Sequence, residues 1–124
     1  MQHGSHTILV VEDDLDVRES LRDALEDDGY KVDVAADGLE ALEYLASHPL
    51  PALILLDWMM PRCDGAEMLE RVRADPTIAG VPVVLLTADV RTSRKTVGQA
   101  CQGFLTKPVM LPDLLATVER FAIP

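Results

Sequence analysis

The 124-residue chain carries 21 acidic against 11 basic residues, a formal charge of −10 at pH 7, and two cysteines. That length suits one domain able to bury a core without staples, and the acidic balance excludes direct nucleic-acid binding while favouring a cationic partner or a metal. Cys63 and Cys101 are far apart and outside any CxxC or CxxH context, which excludes a disulfide framework or zinc site and leaves reduced thiols.

The opening Met1-Gln2-His3-Gly4-Ser5-His6 has no periodicity and reads as a disordered terminus or an expression remnant, leaving residues 7–124 as the domain. Thr7 to Val11 is β-branched and apolar and ends in Glu12-Asp13-Asp14, so a first buried strand delivers carboxylates at its tip. Asp14 caps a helix running to about Asp28, with Leu15, Val17, Leu21, Ala24 and Leu25 at helical spacings and Gly29 as the stop. Tyr30 to Ala36 alternates as an edge strand, with Val32 and Val34 on one face and Lys31 and Asp33 on the other. Asp37-Gly38 opens a second helix with Leu39, Leu42 and Leu45 on one side, ended by Pro49 and Pro51.

Leu53 to Leu56 is a continuous aliphatic run that stops at Asp57, the pattern of a strand buried on both faces with a carboxylate at its end. Pro61 to Asp64 form a loop, and Asp64 caps a third helix through Ala74 with Met68, Leu69 and Val72 inward. Val81 to Leu86 is another such run, ending in Thr87-Ala88-Asp89. Arg91 to Ala100 is a poor helix, with Gly98 inside it and only Val90, Val97 and Cys101 to bury. Gly103 to Thr106 is a short strand before Lys107-Pro108, and Leu111 to Phe121 is a last helix with Leu114, Leu115, Val118 and Phe121 on one stripe.

Five strands alternating with five helices predict an α/β fold, a doubly wound parallel sheet with right-handed crossovers. Such a fold is complete by Pro124, so no output domain is expected within these residues. With no apolar run long enough to span a membrane and no export signal, a cytoplasmic protein without a membrane partner is expected. The carboxyl ends of the strands share one edge, where ligands collect, and there Glu12, Asp13, Asp57, Thr87 and Lys107 converge. Each also has a plainer reading: Asp57 or Thr87 capping a turn, Lys107 as a solvated cation, residues 12–14 as an acidic helix start. Together they describe a chemistry. Clustered carboxylates repel by about 4 kcal/mol per pair at about 4 Å and an effective dielectric near 20, a cost that an oxygen-bound Mg²⁺ relieves. Asp57 is then a nucleophile toward phosphorus, with Lys107 and Thr87 available to phosphoryl oxygens.

The motifs ILVVEDD (8–14), LLDWMMPRCDG (55–65), VPVVLLTA (81–88) and FLTKP (104–108) resemble the receiver domain of two-component response regulators, CheY-like, from Thr7 onward. The resemblance implies the flavodoxin-like strand order 2-1-3-4-5. It also implies that Asp57 takes a phosphoryl group from a histidine kinase or histidine phosphotransfer protein. Mg²⁺ would be held by Glu12, Asp13, Asp57 and the Met59 backbone carbonyl. Thr87, Ala88 and Lys107 would contact the phosphoryl group, Thr87 and Phe104 would form the switch, and Lys107-Pro108 would be cis. Output would pass through the face of the fourth helix, fifth strand and fifth helix to a downstream protein, from a monomer or a phosphorylation-dependent homodimer. The family-type domain is a phosphoacceptor, not an enzyme; a receiver-like adaptor independent of phosphorylation is the alternative. Haloacid dehalogenase-like phosphatases also use a strand-end Asp, but their D-x-D pattern has its second Asp where Met59 stands here. A flavodoxin-like flavin carrier needs a phosphate loop where Glu12-Asp13-Asp14 would repel it.

Two features depart from the resembled pattern: a shorter connection between Thr87 and Lys107, and Ala100-Cys101 where Gly-Ala is usual. Arg91, Arg94 and Lys95 form either a docking spot for an acidic partner or a solvated face. Met59 and Asp89, each two residues past a strand-end residue, flank the expected path of hydrolytic water, Met59 hindering it and Asp89 acting either way.

Overall fold

The computed structural model describes residues 7–59, 64–97 and 100–122. The expected loop at Pro61 and the positions of Cys63, Gly98 and residues 1–6 lie outside them. Ten elements follow in order: β1 (Thr7–Val11), α1 (Leu15–Asp27), β2 (Lys31–Ala35), α2 (Gly38–Ser47), β3 (Leu53–Asp57), α3 (Gly65–Ala74), β4 (Val83–Thr87), α4 (Val90–Val97), β5 (Gly103–Thr106) and α5 (Leu111–Ala122). The strands form one parallel sheet in the order β2-β1-β3-β4-β5.

The continuous aliphatic strands are buried on both faces, as their composition requires. On one face Leu9, Val11, Ile54, Leu56, Val83 and Leu85 pack with residues of α2 and α3; on the other, Ile8, Val10, Leu53, Leu55, Val84 and Leu86 pack with α1 and α5. Asp14, Asp37 and Asp64 are N-caps, accepting from the amides of Val17, Glu40 and Glu67 at 3.1, 2.9 and 2.9 Å. Gly29 ends α1 with φ 94°, a left-handed conformation that a side chain would disfavour.

Three sequence expectations change. Leu15 and Val17 are exposed, and α1 reaches the core only through its later turns, at Leu21 and Leu25. Tyr30 lies outside β2, its amide turned back to the Leu25 carbonyl at 3.1 Å. Helix α4 is described over Val90–Val97, Ala100 lies in a bend outside it, and among the described residues of the helix Ser93 alone is buried.

A polar tie holds the segment from Ala100 onward. Arg73, from α3, donates through Nε to the Ala100 carbonyl at 2.6 Å and through Nη1 to the carbonyls of Ala79 and Val81, both at 2.9 Å. Its Nη2 donates to Gln102 Oε1 at 2.8 Å, an oxygen that also accepts from the Val83 amide at 2.7 Å. One guanidinium thus joins the entry to β4 with the entry to β5. Arg73→Ala should lower stability by about 1.5–3 kcal/mol, since charged hydrogen bonds are lost, and Arg73→Lys should restore only part because an ammonium lacks the planar fork. Urea unfolding at constant m measures this; a change below about 0.5 kcal/mol, the usual range for an isolated surface substitution, would show the tie to be idle.

Candidate functional site

Strands β1 and β3 are neighbours, but the chain leaves them for opposite faces of the sheet, which opens a crevice at their carboxyl ends. Glu12 follows β1, Asp57 ends β3, and both are buried, whereas Asp13 is exposed at the mouth. Carboxylate oxygens of these three residues lie within 4.8 Å of one another.

Lys107 enters from the end of β5. Its Nζ donates to Asp57 Oδ1 at 2.7 Å and to Glu12 Oε1 at 3.1 Å. Its own backbone amide donates to the Thr87 carbonyl at 2.8 Å, and the peptide that joins it to Pro108 is cis. Burial works against the ammonium charge, but hydrogen bonds and charge from Asp57 and Glu12 outweigh it and hold the Lys107 pKa above the usual lysine value. Glu12 feels the opposite balance. Burial first, and the negative charge of Asp57, push its carboxyl up to about 7, despite the Asp14 amide at 3.2 Å and the Lys107 contact. Arg18 donates to the Glu12 backbone carbonyl at 3.0 Å, tying α1 to the same corner.

A single ammonium cannot balance three carboxylates, and the donors are all oxygen. The set therefore fits a hard divalent cation such as Mg²⁺, which tolerates few protein ligands and keeps waters. Gly65 makes room for this arrangement. The start of α3 lies so close to the end of β3 that a Cβ at Gly65 would stand 2.7 Å from the Asp57 carbonyl oxygen and 3.0 Å from Trp58 Cα.

Of the residues singled out from sequence, Glu12, Asp13, Asp57 and Lys107 come together. Thr87 ends β4 one residue beyond Leu86, the register partner of Asp57, and its hydroxyl lies 2.8 Å from Ser93 Oγ. Ala88 and Met59 are exposed just beyond their strand ends. Phe104 is half-buried on β5, with the Arg94 guanidinium carbon 5.1 Å from its ring centre. Asp89 is engaged as a cap: its carboxylate accepts from the Thr92 amide at 3.2 Å and the Thr92 hydroxyl at 2.7 Å. Sequence reasoning missed Ser93, Arg73 and the packing role of Gly65. Only Gly65 left a signal, as the Gly after a capping Asp.

Fold and crevice together define a phosphoacceptor-type signalling domain, and comparison with known proteins agrees. The response regulator receiver domain family matches residues 8–119, and the chain belongs to that family. It is 44% identical over 117 residues to the response regulator Rre1 of Synechocystis, covering 92% of this chain and 50% of that protein. The chain spans about half the length of the curated relatives it matches. Among solved structures, the Vibrio cholerae chemotaxis protein CheY4 superposes with a TM-score of 0.83 at 32% identity, covering 94% of this chain and 98% of that one. The receiver domain of a Pseudomonas aeruginosa sensor histidine kinase, with magnesium coordinated in its active-site cleft, gives 0.85 at 28% identity, covering 94% and 97%. Among the described residues no helix is long and apolar enough to cross a membrane.

The raised Glu12 pKa carries a linkage consequence. The folded state holds the Glu12 proton more tightly than the unfolded chain, so its contribution to stability is full below about 4.5 and is lost as pH rises through about 7. Added Mg²⁺ should therefore raise Tm more at pH 8 than at pH 5.5. Glu12→Gln should flatten the metal-free pH dependence and shrink the Mg²⁺ increment. Thermal melts with Mg²⁺ and with EDTA read this out; equal increments at both pH values would contradict it.

Proposed function

We propose that Asp57 accepts a phosphoryl group from a phosphohistidine of a histidine kinase or phosphotransfer protein, and that Thr87 and Phe104 pass the change to the α4–β5–α5 face. The observation that carries this reading is the 2.7 Å contact from Lys107 Nζ to a buried aspartate at the tip of a central strand. Asp57 Oδ is the nucleophile: an O–P bond forms as the donor's P–N bond breaks, and the electron pair leaves on the imidazole, which takes up a proton. Lys107 stays protonated throughout, pairing with Asp57 before transfer and with phosphoryl oxygens after it. Bound at Glu12, Asp13, Asp57 and the Met59 carbonyl, Mg²⁺ would supply charge neutralisation for the transferring oxygens.

Transfer adds about −1.5 to −2 charges at Asp57. Hydrogen bonds from Thr87 and Lys107 to that group, worth about 1.5–3 kcal/mol each, are of the size needed to shift a two-state population, since inverting 1:99 takes about 5.5 kcal/mol. As Thr87 moves toward the phosphoryl group, the space it leaves lets Phe104 turn inward, and the Arg94 guanidinium loses the ring beneath it.

The downstream partner would meet the α4–β5–α5 face. There a cleft of about 680 Å³ lies along β5, lined by Arg94, Gly103, Phe104, Thr117, Arg120 and Phe121. Each arginine sits over one phenylalanine, both at 5.1 Å. In a chain of charge −10 this cationic, aromatic cleft fits an acidic partner segment.

Incubation with acetyl phosphate and Mg²⁺ should add one phosphoryl group by intact mass, and Asp57→Asn should abolish it; uptake at the same pocket in the Asn variant would refute the assignment. Arg94→Glu should leave that labelling rate unchanged and weaken the phosphorylation-dependent response in cells. A full response from stably expressed variant would remove Arg94 from the output surface.

A further inference from the structure

The hydroxyls at the top of β4 form a closed ring that the proposed phosphorylation cycle does not by itself require. Ser93 is buried, and its Oγ lies 2.8 Å from Thr87 Oγ1 and donates to the Asp89 carbonyl at 3.0 Å. The Asp89 amide in turn donates to Thr87 Oγ1 at 3.1 Å. Each hydroxyl has one proton. With the Ser93 proton committed to the Asp89 carbonyl, the 2.8 Å contact is Thr87 donating to Ser93. The other arrangement would send the Thr87 proton to the Asp89 carbonyl at 3.4 Å, a longer and weaker bond.

This ring also ties down the first turn of α4, whose far end packs through the half-buried Val97. Ser93 is the helix's one buried residue, and the Ser93 amide donates to the same Asp89 carbonyl at 3.1 Å. An eight-residue helix without a buried apolar side chain gains little from core packing. Its first turn is therefore tied to the body through Thr87.

We propose that Ser93 is a positioning residue that competes with a phosphoryl group on Asp57 for the single Thr87 proton, so that occupancy of Asp57 releases the first turn of α4. This inference rests on the proposed roles of Asp57 and Thr87. Thr87 cannot donate to a phosphoryl oxygen and to Ser93 at once. When it turns to the phosphoryl group, the ties from Ser93 Oγ and from the Asp89 amide are both surrendered, and both lie at the start of α4.

Beryllofluoride with Mg²⁺, titrated against Trp58 fluorescence, tests the competition in wild type, Ser93→Ala, Thr87→Val and the double variant. Ser93→Ala removes the competing acceptor and should tighten apparent beryllofluoride affinity about 3- to 10-fold, the weight of one neutral hydrogen bond. In the Thr87→Val background the same substitution should have no effect. Ser93→Cys keeps the volume but is a poor acceptor, and should follow Ala. In metal-free protein without fluoride, amide exchange over residues 90–97 should rise in Ser93→Ala toward that of beryllofluoride-bound wild type. Unchanged affinity, or the same change with and without Thr87, would reduce Ser93 to a buried spacer and overturn the proposal. Should wild type show no fluorescence response that Asp57→Asn removes, the phosphoacceptor reading fails separately, and the exchange measurement still judges the Ser93 tie.

Discussion

The contact between Lys107 and the buried pair Asp57 and Glu12 is the constraint on which the rest of this domain depends. Its partners are separated by 50 and 95 residues, so it forms only after three strands have taken their places. Two carboxylates removed from water and facing each other would shed charge by binding a proton. Glu12 goes part of the way, with its carboxyl pushed up to about 7, while Lys107 supplies a positive charge that burial alone would not favour. The crevice is thus held short of electrostatic balance. Its remaining negative charge suits a divalent cation, and its ammonium already contacts the carboxylate of Asp57.

Much of this arrangement was legible in the sequence, because strands buried on both faces announce themselves as unbroken aliphatic runs. Leu53 to Leu56 and Val83 to Leu86 do so, and the residue that ends each run must stand at the sheet's carboxyl edge. The caps at Asp14, Asp37 and Asp64 were equally plain. Leu15 and Val17 were misplaced because helical spacing names a face without saying how far along the helix that face stays covered. Ser93 and Arg73 were invisible for a different reason. Their partners are hydroxyls and carbonyls on other elements, and polar contacts across a fold leave no period in the chain.

Those two residues explain how a helix with so little to bury stays in place. Helix α4 is joined to the body at its start through Ser93 and Thr87, and the segment beyond its end is joined through Arg73 to the Ala100 carbonyl and Gln102. Apolar packing is cooperative and resists gradual change, whereas a few hydrogen bonds can be exchanged one by one. Placing the weakly packed helix between two polar anchors puts the low-stability part of the domain beside Phe104 and the cationic cleft. The remaining elements, with their aliphatic cores, have no comparable freedom.

The energy scale follows from the partners. A neutral hydroxyl contact such as Thr87 to Ser93 is worth about 0.5–1.5 kcal/mol, and a contact to a charged phosphoryl oxygen about 1.5–3. Because the proposed move surrenders the Asp89 amide tie as well as the Ser93 contact, the exchange at Thr87 nets far less than the roughly 5.5 kcal/mol that inverts a 1:99 equilibrium. In the proposed cycle Thr87 alone would not complete the change. Under the proposed cycle the balance would come from Lys107 changing partners at the same site and from a partner meeting Arg94 and Arg120. A domain working this way would respond in degree, with its partner supplying part of the selectivity.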